Sequence, residues 1–441
     1  MLGISGKSTN EEKIVTVLDI GSSKICCMVV ALAPWAGRPQ AIGDPVPARL
    51  LGVAHQRSKG IKAGVVTDMS EAEEAIRASV SRAERMAGLT ADKVIVSVSC
   101  GRLQSANFTA KAKIDSGTVT NLDVERVLAA GRRFAESDSR RLLQMNGLGY
   151  RLDDIGGIRN PRGMNGARLS IDLHAVTADE APLRNLARLI DRCHLSVGGL
   201  VASPYASGLA VINEEEARLG VACIDLGGGT TTLSVFTEGH FVYTDAVALG
   251  GSHISFDIAR ALSTPLYEAE RIKTLYGTLV GASSDVHEMF SYPVIGQDEV
   301  GLHQSSRARL REIMLPRVEE TLGLVRDRLD ASGFAAFAGQ RVVLTGGASQ
   351  LTGFGEFAAQ FFGKAVRVGR PAGFGGATDS VTGPAFATTI GLLHALIAPG
   401  AGVTSGQRPN GAMTRSGYLG RVGQWFRESF WEDEQQAASG A

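Results

Sequence analysis

Two short segments of the chain combine residue types that bind phosphate. Each follows an apolar run ending in aspartate and continues into small residues: Asp19, Gly21, Ser22, Ser23 and Lys24 in the first, and Asp225, Gly227, Gly228, Gly229, Thr230 and Thr231 in the second. Small residues let the main chain approach an anion closely, so that backbone N–H groups point at it. The apolar runs on both sides predict that each segment is the tight turn between two strands.

The charged residues of these turns predict the chemistry of the site. Asp19 and Asp225 stand where they can hold the waters of Mg²⁺, a cation that keeps most of its hydration shell. Lys24 offers a positive charge to a β- or γ-phosphate. For either segment alone, an ordinary hairpin turn is the competing interpretation.

The two segments also indicate an internal duplication. With an offset of 206 (225 − 19), Asp19 aligns with Asp225, Gly21 with Gly227 and Val29 with Val235. Three identities alone carry little weight, but strand, aspartate, glycine turn and strand recur in the same order. That shared order favours duplication.

Two further groups could hold the adenosine of a nucleotide. Glu270 and Lys273 are three residues apart and share one face of a predicted helix. The strand before Gly346, Gly347 and Ala348 ends in a turn that is flat enough to lie against a base or a ribose. Each group alone is compatible with an ordinary ion pair or an ordinary strand–turn–helix connection.

Composition narrows the classes of protein that fit. The 441 residues include 45 Lys+Arg and 45 Asp+Glu, so we expect no nucleic-acid partner that binds through bulk charge. The cysteines form no Cys-x-x-Cys pair, which argues against a zinc site or a disulfide framework. The polar start does not resemble a signal peptide and no apolar run reaches the ~18 residues of a membrane span, so we expect a cytoplasmic protein.

Taken in order, the two hairpins, the Ala-Glu-x-x-Lys helix and the late Thr-Gly-Gly turn resemble the pattern of the actin-like ATPase superfamily. Within it, the chain resembles the FtsA family of bacterial cell-division proteins. The matching segments are DIGSSK (19–24), GVVTDM (64–69), NPRGMNGARL (160–169), HAVT (174–177), DLGGGTT (225–231), AERIK (269–273) and TGGASQL (345–351). The segment NPRGMNGARL distinguishes the FtsA family from the chaperones and sugar kinases of the superfamily, which lack it. The Pro/Gly-rich stretch 34–47 departs from the family's pattern and has no assignment.

The resemblance implies an α/β, actin-like (ribonuclease H-like) duplicated two-half fold, with a small α+β insert domain and a C-terminal amphipathic helix. The expected parts are 13–90 (subdomain 1A, first part), 91–176 (inserted subdomain 1C), 177–215 (1A return), 216–262 (subdomain 2A, first part), 263–340 (subdomain 2B), 341–378 (2A return), 379–398 (closing helix on 1A), 399–416 (flexible linker) and 417–431 (membrane-targeting helix).

The resemblance also implies a function. We expect a protein that binds ATP and Mg²⁺, self-associates into filaments, and tethers FtsZ at the division site on the cytoplasmic side of the inner membrane. FtsZ would dock through its C-terminal peptide on 263–340, and the insert would recruit other division proteins. The alternatives are a pilus-assembly relative of the same fold and a sugar or acetate kinase.

The chain's last segment predicts the membrane contact. On a helix over 418–431, one face carries Leu419, Val422, Trp425, Phe426 and Phe430. A face this aromatic, beyond a Gly/Pro/Ser-rich linker, suits the membrane interface. Docking on the protein's own body or on a partner is the alternative.

The segment that crosses between the halves limits the expected catalysis. Residues 201–210 (VASPYASGLA) offer only the hydroxyls of Ser203, Tyr205 and Ser207 to position an attacking water. We therefore expect slow ATP hydrolysis, or none without assembly, and assign no catalytic residue.

Overall fold

Strands and helices alternate along the chain, and the computed structural model describes them within residues 12–33, 42–99, 102–136, 139–296 and 302–397. The first part contains β1 (Lys13–Ile20), β2 (Lys24–Leu32), β3 (Ala48–Arg57), β4 (Ile61–Lys62), β5 (Val65–Val66), α1 (Met69–Ala87) and β6 (Lys93–Val98). There follow β7 (Gln104–Lys113), α2 (Asn121–Ala135), β8 (Arg140–Leu152), β9 (Ile155–Ile158) and β10 (Arg168–Asp179). The chain continues with α3 (Glu180–Arg192), β11 (Ser196–Ala202), α4 (Ser203–Val211) and α5 (Glu214–Leu219).

The later part of the chain begins with β12 (Val221–Leu226), β13 (Thr231–Thr237), β14 (His240–Val247), α6 (Gly251–Leu262) and α7 (Leu266–Tyr276). Next come β15 (Met289–Tyr292), β16 (His303–Ser306), α8 (Arg307–Ala331), β17 (Arg341–Thr345), α9 (Phe354–Phe362), β18 (Ala365–Val368) and α10 (Ala387–Ile397). A short 3-10 turn, Pro384–Phe386, leads directly into α10.

Two five-stranded sheets have the same strand order and form the two halves. The first runs β3-β2-β1-β6-β11 and the second β14-β13-β12-β17-β18. In each sheet the first three strands form an antiparallel meander and the last two are added in parallel. The structure thus confirms the duplication inferred from the two aspartate–glycine segments.

Helices cover the faces of both sheets, and the core of the first half extends to Val221, Phe236 and Val343 of the second sheet. Residues 25–32 of β2 are all buried, as expected for a strand covered on both sides. Asp68 caps α1, and its side chain accepts hydrogen bonds from the backbone N–H groups of Ser70 and Glu71. This cap fixes the start of the helix that covers β2 and β3.

A four-stranded antiparallel sheet, in the order β7-β10-β8-β9, forms a third unit with α2. It has a separate core that includes Val127, Tyr150 and Leu173. We expected this insert to begin at residue 91, and that boundary is wrong for β6 (93–98). Because β6 pairs in parallel with both β1 and β11, it belongs to the first half, and the insert's sheet starts with β7.

The insert also contacts the second half of the molecule. Asn107 on β7 donates a hydrogen bond from Nδ2 to the carbonyl of Val242, 2.9 Å away. The backbone N–H of Thr244 donates to Ser105 Oγ at 3.2 Å. These contacts with β14 tie the insert to the second half of the duplicated fold.

Two helices cross at the base of the cleft between the halves. Helix α4 leaves β11 of the first half and packs against β12 and β13 of the second, and it lies against α10. The two helices approach so closely that a Cβ on Gly391 would lie 1.8 Å from the carbonyl oxygen of Ala206. Only glycine permits this crossing, so α4 and α10 form a close-packed base beneath the cleft.

Candidate functional site

The two predicted turns have the same geometry. Gly21 N donates to Lys24 O at 3.0 Å, and Gly227 N donates to Thr230 O at 3.0 Å. A Cβ on either glycine would lie 2.8 Å from that carbonyl oxygen. The 206-residue offset therefore relates equivalent hydrogen bonds of the two hairpins, and a side chain at Gly21 or Gly227 would clash with its own turn.

The tips of the two turns meet across the cleft. A Cβ on Gly228 would lie 2.6 Å from the Cβ of Ser23, and one on Gly229 would lie 2.7 Å from the Cβ of Ser22. Gly64 N donates to Ser22 Oγ at 3.0 Å and holds the first turn in place. The glycines of the second turn thus provide the room in which the halves come together.

A cavity of about 470 Å³ opens between the halves beside these turns. It is lined by fifteen of the sixteen predicted residues: Asp19, Gly21, Ser22, Ser23, Lys24, Asp225, Gly227, Gly228, Gly229, Thr230, Glu270, Lys273, Gly346, Gly347 and Ala348. Thr231 is not among the lining residues, and its hydroxyl donates to the carbonyl of Leu249. Because side chains alternate along a strand, Thr232 lines the cavity in its place.

Asp19 and Asp225 both lie at the floor of this cavity. Ser97 Oγ donates to Asp19 Oδ1 at 2.6 Å, and Thr388 Oγ1 donates to Asp225 Oδ2 at 3.0 Å. Burial raises the pKa of Asp19, although the Ser97 hydrogen bond opposes the rise. Burial also raises the pKa of Asp225 to about 6, with the Thr388 hydrogen bond opposing and the charge of Asp19 adding to it.

Lys24 projects into the end of the cavity beside the two turns but is tied to the opposite wall. Its Nζ donates to Ala385 O at 2.6 Å and lies 3.4 Å from the ring centroid of Phe386. Burial lowers the pKa of Lys24, whereas the charges of Asp19 and Asp225 raise it. The side chain therefore links the first hairpin to the turn before α10.

The other end of the cavity is formed by α7 and by the turn after β17. Lys273 Nζ lies 2.8 Å from Glu270 Oε2 and donates to Gly251 O at 2.9 Å. Ser255 donates a short hydrogen bond to Glu270. A Cβ on Gly347 would contact only Ala385, at 3.8 Å, so its backbone is open to the cavity. Glu270 and Lys273 thus form the ion pair that was the alternative interpretation, and residues of α6 orient it at the edge of the cavity.

Several lining residues were missed by sequence reasoning. They are Ser99, Thr232, Gly251, Ser252, Ile254, Thr274, Gln350, Leu351, Thr352, Pro384, Ala385 and Thr388. The segment PAFATT at 384–389 carries a signal, since proline followed by two threonines at a helix start predicts an N-terminus with free hydroxyls. Of the three hydroxyls expected from the crossing segment, only Ser203 lines the cavity. Tyr205 instead packs against Phe241.

The donor set fits a nucleotide with a hydrated divalent cation. Thr232 Oγ1 is buried beside the cavity without a hydrogen-bond partner among the described residues. Within the same residues, no three His, Cys, Asp or Glu side chains converge in a way that could hold a metal. Asp19 and Asp225 suit Mg²⁺ bound through its waters, since that cation is usually held by only one or two carboxylates.

Duplicated halves whose hairpins face each other across a cleft define an actin-like fold. In structure, the chain is similar to a protein of the PilM-PilN type IV pilus biogenesis complex, with a TM-score of 0.60 and 16% identity, over 87% of this chain and 99% of that one. Profiles described as "Cell division protein FtsA" and "SHS2 domain inserted in FTSA" match residues 222–391 and 100–177.

The sequence relatives identify the family. The chain is 45% identical over 429 residues to a cell division protein FtsA from Agrobacterium fabrum, covering 96% of both chains. It is 43% identical to that of Rhizobium meliloti over 95% of both chains, and 34% identical to that of Neisseria meningitidis over 95% of this chain and 99% of the relative. The chain belongs to the FtsA family of cell division proteins.

The predicted linker (399–416) and tail helix (417–431) lie outside the described residues, as do the tail residues Leu419, Val422, Trp425, Phe426 and Phe430. In the part of the chain that is described, no helix has the length and apolar character needed to cross a membrane.

The meeting of the two turns gives a testable prediction. Gly229→Ala adds a Cβ against Ser22 and 3.1 Å from the backbone nitrogen of Ala63. We expect it to lower the free energy of unfolding by about 1–3 kcal/mol, as overpacking does. Urea unfolding measures this, with Gly149→Ala as control, because a Cβ on Gly149 meets nothing within 4 Å.

A double-mutant cycle assigns the loss to this contact. Combining Gly229→Ala with Ser22→Gly removes the clashing atoms, so the double variant should be less destabilised than the sum of the two single variants. Additive effects, or a Gly229→Ala protein as stable as Gly149→Ala, would contradict the close approach.

Proposed function

We propose that this protein binds ATP with Mg²⁺ in the cleft and uses it to control assembly at the bacterial division site. The observation that carries the proposal is the pair of hairpins of equal geometry, which bring Asp19, Asp225 and a set of backbone amides around one cavity. Its volume of about 470 Å³ is within the range of small-molecule sites, roughly 300–1,000 Å³.

The polarity of the cavity orients the ligand. The phosphates lie in the cavity against the turns 21–24 and 227–230, where backbone N–H groups and Lys24 offset their negative charge. The adenosine lies against Gly346, Gly347 and Ala348, with Glu270 and Lys273 at its polar edge. Asp19 and Asp225 would hold Mg²⁺ through its waters, and the cation would supply positive charge against the phosphates.

The site favours binding over rapid turnover. Ser203 is the hydroxyl of the crossing segment that lines the cavity, and a hydroxyl is a weak group for activating water. ATP therefore acts mainly by fixing the angle between halves that touch at their hairpins. One angle between the halves favours self-association into filaments. ATP binding therefore controls assembly, and hydrolysis of ATP is secondary.

Membership of the FtsA family supports a role in cell division for this nucleotide-controlled assembly. We propose that the protein anchors FtsZ, by the C-terminal peptide of FtsZ, to 263–340, and recruits other division proteins through the insert. The pilus alternative is less well supported, because identity to the pilus protein is 16% against 45% to a division protein. A sugar or acetate kinase would need a carboxylate base beside its acceptor, and the crossing segment 201–210 has no carboxylate.

The tail at 417–431 supports peripheral attachment to the cytoplasmic side of the inner membrane. Its net charge over 418–431 is only +1, from two arginines and one glutamate. Apolar insertion of Trp425, Phe426 and their neighbours must then supply most of the affinity, and one such helix binds reversibly. A filament that presents many tails binds far more tightly through multivalency.

Asp225→Asn tests the nucleotide site. Burial raises the pKa of Asp225 from its ordinary value of 3.8 to about 6, so the contribution of this carboxyl group to stability is fully present below pH 3.8 and is lost as the pH rises through about 6. Removing the charge should therefore raise the free energy of unfolding of the ligand-free protein at pH 8 by on the order of 2 kcal/mol, with little effect at pH 4. The same variant should lose MgATP affinity, because a carboxylate that would hold the waters of the cation is gone.

Calorimetric titration with MgATP and urea unfolding at the two pH values measure these opposite effects. Asp330→Asn, on the exposed side of α8, is the control for loss of a carboxylate. Unchanged MgATP affinity in Asp225→Asn would contradict the assignment of the site.

Deleting residues 417–431 tests the membrane proposal. The truncated protein should still bind ATP and an immobilised FtsZ C-terminal peptide, because both sites lie in the body of the protein. It should no longer sediment with liposomes, and full-length Trp425→Glu should sediment weakly. If the truncated protein still sediments with lipid, the tail is not the anchor.

A further inference from the structure

The first turn of α10 contacts both halves of the duplicated site. Thr388 Oγ1 donates to Asp225 Oδ2 at 3.0 Å, and Thr389 Oγ1 donates to Asp19 Oδ2 at 3.3 Å. The two threonines are neighbours in sequence, whereas the two aspartates belong to different sheets. One helical turn therefore holds one carboxylate from each half.

This arrangement fixes the distance between the carboxylates. Consecutive Cα atoms are about 3.8 Å apart, so two adjacent threonines can reach only carboxylates that lie close together. The amino end of α10 adds a partial positive charge, which favours two anions at this place. Helix α10 is itself held by its close crossing with α4, so its first turn is a rigid reference for both hairpins.

Each carboxylate is also prevented from rotating. Ser97 holds the second oxygen of Asp19 and itself accepts a hydrogen bond from Ile20 N at 3.3 Å. On the other side, a Cβ on Gly346 would lie 2.3 Å from Asp225 Oδ1, so the main chain there packs directly on the carboxylate. Each threonine thus completes the orientation of one aspartate.

We propose that Thr388 and Thr389 are positioning residues for the hydrated Mg²⁺ of the nucleotide site, one for each half of the duplication. Groups that orient metal ligands from the outside typically affect metal affinity strongly. The inference rests on the proposed function, because it concerns the cation that accompanies ATP. The inference adds α10 as the element whose first turn positions both carboxylates that would hold the waters of the cation.

A merely structural role for these hydroxyls has a different signature. If they only satisfy two carboxylates, their loss lowers stability and weakens ATP binding equally with and without metal. If they position the cation, their loss reduces the gain in ATP affinity that Mg²⁺ provides. The measured quantity is therefore the ratio of ATP affinity at saturating Mg²⁺ to ATP affinity in EDTA.

Calorimetric titration of ATP into the full chain measures this ratio. Thr388→Val and Thr389→Val keep the side-chain shape and remove the hydroxyl, and each should lower the ratio about 10- to 100-fold. Thr388→Ser and Thr389→Ser restore the hydroxyl and should restore the ratio. Thr382→Val, whose hydroxyl bonds only main-chain carbonyls away from the cavity, should leave it unchanged.

A ratio unchanged in the folded valine variants, as judged by circular dichroism, would overturn the inference. If the valine variants do not fold, hydrogen exchange of the wild-type chain decides: amides of 387–391 should gain protection with MgATP but not with ATP in EDTA. Equal protection overturns the inference. Absence of ATP binding by the wild type under both conditions overturns the proposed function itself, whereas ATP binding that is independent of Mg²⁺ overturns this inference alone.

Discussion

Removing a carboxylate from water costs several kcal/mol unless hydrogen bonds or a cation offset the loss. This chain places two of them, Asp19 and Asp225, at the floor of one cleft, and much of the fold is arranged around them. Hydroxyls from β6 and α10 hold them, Lys24 lies nearby, and burial still raises the pKa of both. A divalent cation would relieve that cost, which makes the site receptive to a metal-bound anionic ligand.

The shape of the same cleft also depends on glycines, which let backbone segments come into close contact. Gly228 and Gly229 allow the second hairpin to touch the first, and Gly391 allows α10 to cross α4 at the base. The halves thus meet at two places, at the hairpin tips and at the helix crossing. In the proposed function, a nucleotide at the hairpins would act on the first contact, while the helix crossing serves as the base.

Local pattern was sufficient to predict the parts of the site that lie within one segment. Both hairpins, the pair of Glu270 and Lys273 on α7 and the turn after β17 follow from short runs of sequence. The prediction that Thr231 lines the site was wrong by one residue, and Thr232 lines the cavity instead. Which side chains of β13 face the cavity depends on where the strand begins. That start is set by pairing with β12, which no local pattern gives.

Contacts between residues that are far apart in the sequence could not be predicted from local pattern. Thr389 lies 370 positions from Asp19, and Ser97 lies 78 positions from it, so only the fold brings them together. The assignment of β6 to the insert failed for a similar reason. Parallel pairing with β1 and β11 is non-local, whereas the strand's sequence resembles any buried strand.

The central claim is that the two hairpins close on one nucleotide whose cation lies between the two aspartates. The most direct test is a crystal structure of the full chain with Mg²⁺ and a non-hydrolysable ATP analogue. We expect phosphate density between residues 21–24 and 227–230, and a hydrated cation between Asp19 and Asp225 beside the threonines of α10. Nucleotide bound elsewhere, or phosphates that contact only one hairpin, would contradict the account.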